Sequence, residues 1–267
     1  MIDKLSLTTS IVPYLDYLES HGRVTVDEYN MKLYKFIYEF KRMVIFCYPH
    51  KFSESINARI PFTKIDISTK NFECFNELEA HLSALFNMTE LDLTNFNVSR
   101  IDIAADIENI TPEKLLSTMN VKHIRTESFN VFKSTIYAGT DPKVRIYNKV
   151  KEIRARKKKG KEITEYEKTL LDSGKEWTRF EIQIRSVKKN LQEIADDPLS
   201  LASYFDRLEF IKTDVDEAHG ILQFIYRFIN RKFRKQIEEF KDNDLIERIK
   251  DTYRSNVTEW VREKEPF

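Results

Sequence analysis

Three segments with strand-like alternation carry the residues that could do chemistry. Asn97 to Ile107 (NVSRIDIAADI) puts Arg100, Asp102 and Asp106 on the face opposite Ile101, Ile103, Ala105 and Ile107, because successive strand side chains point to opposite sides. Lys143 to Val150 (KVRIYNKV) turns Lys143, Arg145, Tyr147 and Lys149 away from Val144, Ile146 and Val150. Glu176 to Arg185 (EWTRFEIQIR) sets Arg179, Glu181, Gln183 and Arg185 opposite Phe180, Ile182 and Ile184. Carboxylates grouped on a sheet face can hold a hard divalent cation through oxygen ligands. A tyrosine between cations can be a nucleophile toward phosphorus, since positive charge stabilises both the phenolate and the crowded transition state. Together the three segments would make a phosphoryl-transfer site. Plainer readings stand beside this one: a half-buried sheet tyrosine, solvated aspartates, and a cross-strand pair between Glu181 and its basic neighbours. Tyr137 is the competing nucleophile, with Ile136 and Ala138 beside it in sequence.

Other elements must position these strands. Leu33 to Tyr48 is rich in aromatic and branched residues, and Asn57 to Ser68 alternates as a strand or a pair of strands. Asn76 to Phe86 has Leu78, His81, Leu82 and Leu85 at helical spacing, and Thr111-Pro112-Glu113 starts a short helix reaching about Met119. Ser134 to Ala138, the turn at Gly139 to Pro142, and the strand from Lys143 read as a hairpin. A helix follows over Glu162 to Leu171. From Val187 onward the pattern is helical, with an apolar stripe at Ile221, Phe224, Ile225, Phe228 and Ile229. The fold expected is α+β: a mixed or antiparallel central sheet with helices in residues 1–186, followed by a mostly helical region in 187–267. The pentapeptides Lys64 to Ser68 and Arg100 to Ala104 look alike and hint at a duplicated sheet-and-helix unit.

Composition narrows the chemistry. The 267 residues include five glycines, none in G-x-G spacing, so the loops that cradle nucleotide phosphates are missing and no nucleotide cofactor is expected. Two cysteines, Cys47 and Cys74, are too few for a disulfide framework and suit a reducing cytoplasm. The N-terminal stretch carries charge at Asp3 and Lys4 and has no long apolar run, so neither a signal peptide nor a membrane span is expected. Net charge is +1, yet Asp141 to Lys161 holds ten Lys or Arg against two acids, a local +8. A second basic stretch has Arg227, Arg231, Lys232, Arg234 and Lys235. Segregated positive charge in a neutral chain points to a polyanionic partner, or else to solvated faces.

The ordered motifs also resemble a known family. Arg100 to Asp106 (RIDIAAD), Ile136 to Gly139 (IYAG) leading to Val144 to Lys149 (VRIYNK), and Trp177 to Glu181 (WTRFE) occur in the order and spacing of the replication initiation factor (Rep_trans) family. The opening Ile2 to Ser6 is similar to that family's start, so the likeness covers nearly the whole chain, and the length suits a small initiator from a thermophilic Bacillus-like plasmid. The resemblance implies a nicking and closing enzyme acting at the double-strand origin of a rolling-circle plasmid. Tyr147 would attack one phosphodiester, keep the 5′-phosphate as a phosphotyrosine and release a 3′-hydroxyl. Asp102, Glu181 and Asp106 would hold Mg²⁺ or Mn²⁺. Arg145, Lys149, Lys151 and Arg179 would contact DNA near the cut, and Arg231, Lys232, Arg234 and Lys235 would help select the origin. The implied partners are plasmid origin DNA, a second copy of the chain as a homodimer, and a host DNA helicase. No His-hydrophobic-His pair is present, so the metal would rest on carboxylates. Two other readings fit the residues: an origin or operator DNA-binding protein that does not cut, and a relaxase of an integrative conjugative element.

Overall fold

The computed structural model describes residues 1–24, 33–40, 43–50, 60–116, 119–121, 129–132, 135–139, 141–185, 187–210 and 242–261. The architecture is α+β, an antiparallel sheet with helices and a helical C-terminal region. The chain divides into two compact units. The first comprises residues 1–102, 184–199 and 256–267, and the second 103–183 and 200–255.

In the first unit, β1 (Ile2–Thr9), β2 (Arg23–Val24), β3 (Tyr34–Phe40), β4 (Met43–Pro49) and β5 (Thr63–Ser68) are arranged in the order β2-β3-β4-β5-β1. Helices α1 (Leu15–His21) and α2 (Phe75–Phe86) pack on the face that carries Phe40, whose ring meets Tyr17 of α1 and His81 of α2. The register explains why: Leu5 faces Ile67, Leu7 faces Ile65, and Ile45 faces Ile65 from the other side. These side chains, with Leu18, Leu78, Leu82 and Leu85, are buried, and burial of such apolar surface contributes roughly 25 cal/mol per Å². Asn87, in the left-handed region at φ 54°, ends α2 by donating its backbone N–H to Ala84 and Ser83.

Strand β6 (Asn97–Glu108) begins in the first unit and ends in the second. The second unit continues with α3 (Pro112–Leu116), β7 (Met119–Val121), β8 (Phe129–Phe132), β9 (Thr135–Ala138), β10 (Lys143–Asn148), α4 (Lys149–Lys158), α5 (Glu165–Asp172) and β11 (Trp177–Arg185), whose last two residues belong to the first unit. Its strand order is β6-β11-β10-β9-β8. Ile146 faces Phe180 and Ile136, and Val144 faces Ile182 and Ala138. Phe180 meets Phe210 edge to face at 5.8 Å between ring centroids, and Phe205 meets Tyr253 at 5.8 Å. After α6 (Leu191–Asp196) and a 3₁₀ segment, β12 (Leu208–Phe210) pairs with β7, and α7 (Asn243–Val261) forms the last described helix.

The expected strands at 33–48, 97–107 and 176–185 and the helix at 76–86 are present, with Leu33 to Tyr48 resolved into β3 and β4. Three local expectations change. Lys143 to Val150 is a strand only as far as Asn148, whose side chain accepts the Lys151 N–H and caps α4. Lys149 and Val150 are therefore helical. The basic run itself builds most of α4, and β12 interrupts the helical pattern after Val187. The stripe at Ile221 to Ile229, together with Arg231, Lys232, Arg234 and Lys235, lies outside the described residues.

Phe180 is fully buried between the strand row and Phe210. Phe180→Ala should lower unfolding free energy by about 3–5 kcal/mol, read from the urea midpoint at unchanged slope.

Candidate active site

Strand β10 is hydrogen-bonded on both sides, to β9 and to β11. Residues directly opposite one another share a face, so the register builds two rows. One row is Tyr137, Arg145 and Glu181, and the next is Thr135, Tyr147 and Arg179. The Arg145 guanidinium is paired with the Glu181 carboxylate. The Tyr147 hydroxyl, on a half-buried side chain, donates to Glu181 Oε2 at 3.5 Å. The phenol thus stands one row from a carboxylate that can take its proton, with a guanidinium directly across the strand. Tyr137 also gains cations that its sequence neighbours do not supply: Arg145 is opposite, and the Lys143 ammonium lies 5.1 Å from its ring centroid.

The polar face is not solvated. Asp106, Arg179 and Glu181 are 2%, 3% and 1% exposed, so each charge needs a partner. Arg179 provides one by a two-pronged bond to Asp106, Nε to Oδ1 at 2.7 Å and Nη2 to Oδ2 at 2.6 Å. The Tyr166 hydroxyl adds a third donor to Asp106 Oδ2 at 2.9 Å. Burial works against ionising Asp106, but the Arg179 charge and its hydrogen bonds, Lys149 and Tyr166 outweigh it and hold the carboxyl below its ordinary range. Burial and the Asp106 charge push the Tyr166 phenol upward. Tyr166 is 38% exposed although its hydroxyl is bonded to Asp106.

A second charged cluster ties α4 to α5. Lys149, 3% exposed, donates to Glu152 at 2.9 Å and Glu167 at 3.1 Å. Arg156 is also paired with Glu167 and Glu152. Glu167 is placed by a capping box with Thr164 at the start of α5. Despite its burial, these cations and the Thr164 N–H hold its carboxyl low. The ammonium of Lys149 is therefore committed to acids rather than aimed along β10. Lys151 is exposed on α4, 3.6 Å from Glu113.

Asp102 belongs to the first unit, where it is fully buried and paired with Arg100, Nε to Oδ1 at 2.7 Å. Each of the three acids expected as metal ligands thus faces an arginine: Asp102 with Arg100, Asp106 with Arg179, Glu181 with Arg145. A cation at any of them competes with a guanidinium already in place. Among the described residues no three His, Cys, Asp or Glu side chains gather as a ligand set. Tyr166 and Glu167 are the site residues that sequence reasoning passed over. The T-x-x-E spacing of Thr164 and Glu167 is the signal that could have placed that helix start. Nothing in sequence links Tyr166 to Asp106.

The family model Phage_CRI, described as the N-terminal part of a replication-associated protein, matches residues 31–206, more than half of the chain. No curated protein matches. No helix among the described residues is long and apolar enough to cross a membrane.

Removing the acid of the buried pair strands Arg179, so Asp106→Asn should cost about 3–5 kcal/mol of stability, measured by urea titration. The depressed Asp106 and Glu167 carboxyls contribute fully above the ordinary carboxylate range of about pH 4. That contribution is lost as pH falls through their lower folded values. The melting temperature should hold steady near neutrality and drop below about pH 4, with a smaller acid-induced drop in Asp106→Asn.

Proposed function

Because the chain belongs to the Phage_CRI family of replication-associated proteins, a family of rolling-circle replication initiators, we propose that its second unit nicks one DNA strand through Tyr147. The observation that carries this reading is the Tyr147 hydroxyl on Glu181, with Arg179 directly opposite and Arg145 clamped to the same carboxylate.

The chemistry follows from these groups. Glu181 accepts the phenol proton as the phenolate oxygen attacks phosphorus. An O–P bond forms to Tyr147, and the bond from phosphorus to the 3′-oxygen breaks. The departing 3′-oxygen takes a proton from solvent, leaving a 3′-hydroxyl and a 5′-phosphotyrosine. One phosphodiester is exchanged for another, so the bond energy is retained for closure and no nucleotide is consumed. Arg145 is about one third exposed at its side chain (29%) and can turn from Glu181 to a non-bridging phosphate oxygen as charge builds there. Arg179, fixed by Asp106, keeps positive charge beside the phenolate. Each of these steps uses side chains of the chain itself.

The finer parts of the proposal follow the Rep_trans resemblance: a site-specific cut at a plasmid double-strand origin, a homodimer, and a host helicase that unwinds the nicked DNA. Residues 187–267, including the basic stretch at 231–235, would take part in origin choice or dimer contacts. The exposed cations of α4, Lys151 among them, lie just after the nucleophile in the chain and suit the DNA backbone.

On supercoiled origin plasmid with Mg²⁺ or Mn²⁺, the parent protein should form an SDS-stable protein–DNA adduct that Tyr147→Phe abolishes. An adduct that survives in Tyr147→Phe would move the nucleophile elsewhere, with Tyr137 next to be tested. Binding without any strand scission would leave only a DNA-binding protein. Glu181→Gln should slow adduct formation by about 10²–10⁴-fold while leaving plasmid affinity unchanged.

A further inference from the structure

The two units repeat one plan. In the second, a first strand (β6) is followed by a helix (α3), a hairpin (β9 and β10) and a last strand (β11) lying between the hairpin and the first strand. In the first, β1 is followed by α1, the hairpin β3 and β4, and β5, which lies between β4 and β1. The likeness extends to register. The last strand of each unit holds a basic, an apolar and an acidic residue in succession: Arg179-Phe180-Glu181 in β11 and Lys64-Ile65-Asp66 in β5. Opposite the basic residue stands Tyr147 in one unit and Phe46 in the other. Opposite the acid stands Arg145 in one and Val44 in the other. The apolar middle residues, Phe180 and Ile65, are both fully buried.

Building on the nicking reading, we propose that the first unit is an internal copy of the nicking unit that has lost its nucleophile and binds a DNA strand without cutting it. Phe46 has no hydroxyl to attack phosphorus, and Val44 offers no charge. What remains is the cation. The Lys64 ammonium lies 2.9 Å from Asp66 and 4.8 Å from the Phe46 ring centroid. Its side chain is 30% exposed, where the equivalent Arg179 is 4%. Lys64 is therefore more open to solvent than its counterpart, while Phe46 opposite it is buried. Lys4 is exposed on the same face, since Lys4 stands opposite Ser68 and Thr8 opposite Lys64. Asp66 Oδ1 is an enclosed acceptor without a hydrogen-bond partner among the described residues, which suits a donor brought by a ligand, such as the ring N3–H of a thymine base. A cation in register with the nick-site arginine, with Lys4 exposed on the same face, matches the spaced negative charge of a phosphodiester backbone.

The test uses the full chain, a single-stranded oligothymidylate for affinity, and origin plasmid for adduct formation. Lys4→Ala/Lys64→Ala should weaken oligothymidylate binding several-fold at physiological salt. The plot of log K against log salt should become shallower by about 0.7 for each phosphate that is no longer neutralised. At saturating plasmid the yield of Tyr147 adduct should stay at the parent level. Unchanged affinity and salt slope in the double variant would overturn the second site, whatever the adduct assay gives. A parent protein that forms no Tyr147-dependent adduct would instead count against the nicking reading, independently of the affinity result.

Discussion

A guanidinium enclosed on the face of a sheet is tolerable only if a carboxylate meets it squarely, and the pairing of Arg179 with Asp106 meets that condition in the second unit. Both groups are almost wholly removed from water, so neither could stay charged alone. Together they fix the face of β11 that stands across from β10, and with it the row that presents Tyr147. Tyr166 reaches the same carboxylate from α5. α5 is held in turn to α4 through Glu167, Lys149 and Arg156. The phenol is thereby embedded in an arrangement of complementary charges that spans two strands and two helices.

Much of this was legible in the chain because alternation is a strong constraint. A period of two assigned Tyr147, Arg145, Arg179 and Glu181 to polar faces and Val144, Ile146, Phe180 and Ile182 to the core, and the register agrees with both. Burial of the polar face was not legible, since a strand covered on both sides can still alternate. The end of β10 was missed because Asn148 reads equally well as a strand residue and as a helix cap; only the capped N–H of Lys151 decides. That single switch removes Lys149 from the face that carries Tyr147. Tyr166 was invisible for a different reason: its contact with Asp106 joins residues 60 positions apart, and no local pattern encodes such a meeting.

The likeness between Lys64 to Ser68 and Arg100 to Ala104 shows how a short motif can be right about physics and uninformative about descent. In both, a basic side chain reaches two residues along its own strand to an aspartate. That geometry follows from any strand with a cation and an acid on one face. The structural counterpart of β5 is β11 rather than β6, and it is found from pairing partners rather than from identical letters. Lys64 and Arg179 share a place in the plan while their acids differ: Lys64 uses its strand neighbour Asp66, and Arg179 turns to Asp106.

Tyr147 sits in a strand zipped to neighbours along both edges, with a capped helix beginning two residues later. Such backbone cannot swing without breaking several ladder bonds at once. In the proposed reaction a strand end joined to this phenol would be held on a fully paired strand, and the loose 3′ terminus would have to do the travelling before the two ends meet again.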